Sequence, residues 1–307
     1  MKFILMTNPT LEHNVVNELL KSGLKPQAIV TDNPFYVRKT SFIKYFAKKV
    51  IIIAKYLYKR QVFKNKFQPY FIAKKYSIPI YNSVNVNTID FELKIKSMQI
   101  DYIFTFGYRI LKENIINSPK IGCINFHPAY LPYNRGATPS KWVLLNNQTE
   151  TGVTFHYISK GIDDGDIIEQ YKIPLSGLEN VEILNRYLFN IGSILLVKLI
   201  YKIKNKIKIT TYTNNIDLGS YEKPFKKENS NILEGYDYNK IRNIIMATRD
   251  GNKYASYKYK GQNLAIINCI DSTENFNEES LPFCSSNGNI YIKTSDNKQI
   301  MLIINKD

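Results

Sequence analysis

Short apolar runs alternate with stretches of helical spacing through most of this 307-residue chain. Runs at Phe3–Met6, Ala28–Thr31, Ile78–Tyr81, Tyr102–Phe106 and Gly122–Phe126 predict strands. Between them, Thr10–Lys21 places Leu11, Val15, Val16, Leu19 and Leu20 on one helical side, and Phe91–Met98 and Ile110–Asn117 also read as helices. Ile43 to Val62 predicts an amphipathic helix, with Ile43, Phe46, Val50, Ala54 and Leu57 on one side and Lys44, Lys48, Lys55 and Lys59 on the other. A helix at Pro139–Asn147, strands at Gly152–Ser159 and Ile167–Ile173, and a long helix from Val181 to Lys202 complete the pattern. Strand and helix in alternation predict an α/β fold: a doubly wound, mostly parallel sheet covered on both faces.

The pattern changes after residue 210. The stretches TTYTNN and SYEKPFKKENSN read as a linker over 211–235. One helix at Tyr238–Ala247 then precedes the alternating runs YASYKYKG, NLAIINCI, NIYIKT and QIMLIIN, separated by turn residues. The expected division is therefore a large domain over 1–210, with a basic helical insertion around 36–76, and a small β-rich, OB-like domain over 236–307. No GxGxxG or P-loop occurs, so the sheet does not announce a dinucleotide or nucleoside triphosphate.

Composition adds two constraints. Three separated cysteines, Cys123, Cys269 and Cys284, form no disulfide framework and suit a reduced, cytoplasmic setting. The apolar start of the chain is too short for a signal sequence, and KKVIIIAKYLYKR falls short of the ~20 apolar residues of a membrane span. The net charge is +16, and it is concentrated: no acidic residue lies between Asp32 and Asp90. Such a field suits nucleic acid, an anionic membrane surface or an anionic small molecule, or simply a solvated helix face.

Candidate chemistry gathers where a doubly wound sheet binds its ligands, at the carboxyl ends of the strands. In INFHPAYLPYNRG, alternation puts Asn125 and His127 on one face, and Pro128 stops the ladder. In GIDDGD, Asp163, Asp164 and Asp166 stand in a tight turn allowed by Gly161 and Gly165. Too few His, Cys or Asp cluster for a metal site, since His13 and Cys123 do not complete one. Ser140 lies in no nucleophile elbow and Cys123 lies inside an apolar strand. What remains is an Asn, His and Asp set suited to transfer between two bound substrates. Spacing leaves open a plainer reading, in which His127 caps its strand and GIDDGD is a surface turn. His156, in mid-strand, reads as structural.

The segment from Ile124 to Gln170 resembles the catalytic segment of the folate-dependent formyltransferases. It shares the N-H-P strand end, the LPxxRG loop, the T-E-T-G-V strand start and the G-I-D-x-G turn, in order and with matching separations. The likeness covers about residues 1–173 and is weaker in the tail. It implies a Rossmann-like catalytic domain, Asn125, His127 and Asp163 as catalytic residues, N10-formyltetrahydrofolate as co-substrate, and no metal. Phe104, Phe106, Gly107, Tyr108, Arg109 and Ile110 match the loop expected beside the pterin, with Asp163 and Gly165 in the opposite wall. Asn8, Tyr130, Tyr133, Arg135 and Trp142 are the positions expected on the acceptor side, although Tyr133 and Trp142 also suit plain apolar packing. Tyr130 departs from the HPSLLPxY of many relatives. TFGYRIL and the basic insertion look more like sugar-nucleotide members of lipopolysaccharide pathways than like methionyl-tRNA formyltransferase, which is the alternative. The implied partners are folate and a nucleotide-linked amino sugar. Nucleic acid is disfavoured, and a homodimer is compatible with the resemblance.

Overall fold

A computed structural model describes residues 1–8, 14–36, 42–58, 64–65, 67–251, 253–272, 277 and 281–305, with the backbone alone for 42–47 and 58. The expected helix start at Thr10, His13, and the side chains of Lys44 and Lys59 fall outside the described residues. The first elements in chain order are β1 (Phe3–Thr7), α1 (Val15–Lys21), β2 (Ala28–Thr31), α2 (Phe42–Tyr58), α3 (Gln68–Lys75), β3 (Ile80–Asn82) and α4 (Ile89–Ser97). Then come β4 (Tyr102–Phe106), α5 (Glu113–Ile116), β5 (Gly122–His127), β6 (Arg135–Gly136), α6 (Pro139–Leu145), β7 (Glu150–Tyr157), β8 (Ile167–Pro174) and α7 (Val181–Lys204). The tail holds β9 (Tyr221–Glu222), β10 (Asn231–Ile232), α8 (Tyr238–Thr248), β11 (Ala255–Tyr259), β12 (Gln262–Asp271), β13 (Phe283–Cys284), β14 (Ile290–Lys293) and β15 (Gln299–Ile304).

The α/β architecture is as the periodicity predicts. Seven strands form one sheet in the order β3-β2-β1-β4-β5-β7-β8. From β3 to β5 all pairings are parallel, and β7 joins β5 antiparallel. A separate six-stranded sheet, β10-β11-β12-β15-β14-β13, is antiparallel except for β10 with β11. The chain divides into two compact units. The first comprises Met1–Pro132, Val153–Tyr171 and Arg186–Leu218, and the second Tyr133–Gly152, Lys172–Asn185 and Gly219–Asp307. The second unit therefore draws on the middle of the chain as well as the tail.

β1 and β4 are buried along their whole length, as central strands covered on both faces must be. Register then sorts their neighbours into rows. Phe106 lies opposite Phe126, and Phe126 opposite Phe155. Phe106 and Phe126 stack at 4.3 Å, and Phe189 of α7 meets both edge-on at 5.4 and 5.1 Å. α7 approaches this row so closely that a Cβ on Gly192 would lie 2.2 Å from the Phe126 ring. A side chain larger than hydrogen has no room there. α7 is long and apolar enough to cross a membrane by length and composition, but half of that stretch is packed inside the protein.

Two local differences from the sequence pattern matter for the site. The helix expected from Ile110 begins only at Glu113, because Asn87 clamps the preceding loop. Its Nδ2 donates to the Ile110 carbonyl at 3.1 Å, and its Oδ1 accepts from the Lys112 N–H at 2.8 Å. The stretch 211–235 is not a bare linker either. Tyr212 exchanges backbone hydrogen bonds with Ile167 at 2.9 and 3.0 Å.

Candidate active site

A polar row occupies the face of the sheet opposite the phenylalanines. Thr105 is paired with Asn125, and Asn125 with His156, so the three side chains stand side by side on β4, β5 and β7. The Thr105 hydroxyl donates to Asn125 Oδ1 at 2.6 Å. Asn125 Nδ2 lies 3.1 Å from His156 Nε2 and 3.4 Å from Asp163 Oδ1. A carboxylate only accepts, so the Asn125 NH2 must face Asp163, and its carbonyl must face Thr105.

Asp163 sits between two imidazoles. Its Oδ2 is 3.5 Å from His127 Nδ1, and its Oδ1 is 3.4 Å from His156 Nε2. These separations are long for hydrogen bonds, and contacts of this kind tighten around a bound substrate. His127 and His156 are buried, whereas the Asp163 side chain keeps 15% of its surface exposed. The carboxylate and the half-buried Asn125 are thus the members of the set that solvent and a ligand can reach.

The turn carrying Asp163 is strained and fastened. Asp163 has φ of 49°, in the left-handed region that aspartate tolerates better than most residues. The buried Asn214 donates from Nδ2 to the Asp163 carbonyl at 2.9 Å. Asp164 accepts from the Ser159 hydroxyl, and Asp166 accepts from the Tyr157 N–H through its carbonyl at 2.9 Å. Gly165 is required on packing grounds alone, since a Cβ there would stand 2.0 Å from the Tyr157 carbonyl oxygen.

His156 corrects the expectation of a structural histidine. Antiparallel partners point to the same face, so its register opposite Asn125 brings it into the site. Its Nδ1 lies 2.9 Å from the Tyr157 carbonyl, an acceptor, so Nδ1 carries a proton. In the neutral ring, Nε2 then accepts from Asn125. Thr105, His156 and Asn214 were not singled out by motif. The pairing of β5 with β7 is the signal that would have found His156.

The loop after β4 is held from below as well as by Asn87. Gly107 takes φ of 60° and turns the chain out of the strand. Arg109 lies 3.4 Å from Asp32 Oδ1, and Asp32 also accepts from the Ser83 hydroxyl. Burial pushes the Tyr108 phenol well above its ordinary range. Ile110 projects outward at 78% exposure. Phe104 and Phe106, expected beside a pterin, are core residues with side chains committed to Phe3, Tyr102 and Phe126. Residues of this strand end can therefore offer a ligand backbone groups, not these rings.

The acceptor-side candidates divide between the units. Asn8 and Tyr130 are half-buried in the first, where Tyr130 neighbours Tyr212. Tyr133, Arg135 and Trp142 belong to the second. There Arg135 pairs with Tyr221, and the Trp142 indole donates to the Lys223 carbonyl at 2.9 Å beside Phe225. Tyr133 is half exposed. Trp142 thus has packing and hydrogen-bonding partners within its own unit.

The arrangement excludes some chemistry. Burial pushes the Cys123 thiol up to about 12, so it is no thiolate nucleophile. Among the described residues, no cluster of three His, Cys, Asp or Glu could hold a metal. An amide donor, an imidazole and a reachable carboxylate at one strand end can bind a developing oxyanion and take a proton.

The profile of the family described as formyl transferase matches residues 41–200. The chain belongs to that family. Among curated formyl transferase relatives, the methionyl-tRNA formyltransferase of Ehrlichia ruminantium (strain Gardel) is 33% identical over 153 residues, 48% of this chain and 50% of that protein. The chain thus spans about half the length of the curated relatives it matches. Among solved structures, the N-formyltransferase from Helicobacter canadensis, in complex with folinic acid and dTDP-3-aminofucose, shares the fold with a TM-score of 0.63 and 20% identity. That likeness covers 99% of this chain and 100% of the other. A 4-N formyltransferase from Francisella tularensis gives a TM-score of 0.58 at 20% identity, over 86% of this chain and 96% of that one.

Proposed function

We propose that this formyl transferase moves a formyl group from N10-formyltetrahydrofolate to the amine of a nucleotide-linked amino sugar. The observation carrying the reaction type is the meeting of Asn125, His127 and Asp163 at one strand end, with Asn125 and Asp163 half-buried and His127 buried. The clamped loop after β4 suits a pterin, because Gly107 turns out of the strand and exposed Ile110 offers an apolar surface.

The chain's residues divide the work as follows. Backbone groups of the Gly107–Ile110 loop and the turn bearing Gly165 would hold the donor. As the amine attacks the formyl carbon, Asn125 Nδ2 and His127 would stabilise the oxyanion that develops on the formyl oxygen. Asp163 would accept the amine's proton, directly or through a water, while keeping the His127 ring oriented. Collapse returns the carbonyl, breaks the bond to N10 and leaves that nitrogen to be protonated. Thr105 and His156 would keep the Asn125 amide turned toward the reaction. Folate, nucleotide sugar and reduced cysteines all suit a cytoplasmic reaction.

The acceptor assignment is supported by fold likeness along the whole of a structure solved with dTDP-3-aminofucose, while sequence likeness to the tRNA enzymes spans between about half and 63% of their length. The second reading is methionyl-tRNA formyltransferase, favoured by the 33% identity and by a charge of +16. Charge separates them. Contacts with 6–10 tRNA phosphates would cost orders of magnitude in affinity between ~50 and ~200 mM salt. A diphosphate needs one or two cations and should show a shallow slope. The test is parallel formylation of amino-sugar nucleotides and of charged initiator tRNA across that salt range. We expect formylated sugar nucleotide with weak salt dependence. Formyl-methionyl-tRNA formed at a comparable rate would overturn the acceptor while leaving the reaction type standing.

A further inference from the structure

Over its described side chains, residues 48–57, helix α2 presents its most apolar side outward. At about 100° per residue, Ile53, Leu57, Val50, Ala54 and Ile51 follow one another around one side of Phe42–Tyr58. Val50 is 51% exposed, Ile51 53%, Ile53 48% and Leu57 69%, and Ala54 is exposed with them. The opposite side carries Ile52 and Tyr56, both half-buried. The Tyr56 ring stacks on Phe71 at 5.9 Å and meets Phe35 edge-on at 5.6 Å. Those aromatic contacts hold the helix to its unit and turn the wider apolar stripe to solvent. A surface helix ordinarily does the reverse.

Lysines border the stripe. Lys48 and Lys55 fall along the edge beside Ile51, and Lys49 along the edge beside Ile53. The surrounding segment from Asn33 to Ile89 contains twelve Lys and Arg and no Asp or Glu. An apolar stripe flanked by cations on an acid-free stretch has the chemistry of a helix that lies in a membrane interface.

We infer that α2 docks flat on an anionic lipid surface. Val50, Ile53 and Leu57 enter the boundary between headgroups and acyl chains, and Lys48, Lys49 and Lys55 lie at the level of the acidic headgroups. Two other occupants fit less well. A second copy related by two-fold symmetry would bring the same lysines together. A nucleic acid backbone would satisfy the lysines but leave the aliphatic side chains without a partner.

The experiment is sedimentation of the full chain with vesicles of phosphatidylcholine alone, or containing about a quarter phosphatidylglycerol. Binding to the anionic vesicles should be at least ~10-fold stronger than to the neutral ones. The triple substitution Val50→Ser, Ile53→Ser, Leu57→Ser should weaken it by ~10-fold or more. The same variant should keep its helix content and its formyl transfer in solution, since none of these side chains belongs to the site. Absence of sedimentation with anionic vesicles overturns the inference. So does a triple variant that binds as well as its parent, which would place the attraction on scattered lysines. A dimer that becomes a monomer in the triple variant, with neither form binding vesicles, would give the stripe to a second copy.

Discussion

The two faces of strands β4, β5 and β7 are built from alternate residues of the same segments, yet they obey different rules. On one face, Phe106, Phe126 and Phe155 form a closed aromatic row under Phe189 and Gly192. Every ring there has its partners within the fold. On the other face, Thr105, Asn125 and His156 form a polar row that satisfies itself sideways and ends on a partly exposed carboxylate, Asp163. The difference teaches where stability and chemistry reside. Register fixes both rows at once, so the packed row holds the polar row in position.

The largest expected effect falls on the packed row. Phe126→Ala removes a ring that contacts Phe106, Phe155 and Phe189, and should cost about 3–5 kcal/mol of stability. Urea unfolding would show it as a lower midpoint with little change in slope. At low temperature, the remaining folded protein should still transfer formyl groups, because the reactive side chains point the other way. A variant of normal stability with no activity would break the comparison.

A smaller effect sharpens it from the other side. Asn214→Ala removes the donor to the Asp163 carbonyl and should cost about 1 kcal/mol of stability. Because the bond fastens the left-handed backbone of Asp163, turnover should fall several-fold with little change in KM for the acceptor. Asn214→Gln, which can still donate, should recover part of the loss. Equal turnover in all three proteins would remove Asn214 from the positioning of Asp163.

The sequence made these features legible to different degrees. The sheet was readable, because central strands such as Tyr102–Phe106 are apolar throughout and the runs between them keep helical spacing. Asn125 and His127 were readable as a pair through simple alternation, and Asp163 through the glycines around it. His156 was not, because its orientation depends on an antiparallel pairing that the alternation of strand and helix before it, which reads as a parallel sheet, does not suggest. Nor was Asn214, which looks like any polar residue of a connecting stretch until Tyr212 is seen bridged to Ile167. The resemblance places Phe104 and Phe106 in the loop beside a pterin without saying what their rings do, and the structure shows both rings buried in the core. The amphipathic spacing of α2 does not say which side meets the protein, and the Phe35, Tyr56 and Phe71 cluster decides it.

We propose that the half-buried carboxylate of Asp163, at the end of the polar row, performs the proton transfer of formyl transfer. Its direct test is the turnover of Asp163→Asn beside the parent, with N10-formyltetrahydrofolate and an amino-sugar nucleotide, followed by mass spectrometry of the product. Asparagine tolerates the same left-handed backbone, so the fold should be kept and any loss belongs to the carboxylate, as base and as the partner that orients His127. The account predicts a product heavier by one carbonyl unit from the parent, and turnover lower by ~100-fold or more in the variant, about 2.7 kcal/mol of barrier. A variant keeping more than half of the parent's turnover would contradict it.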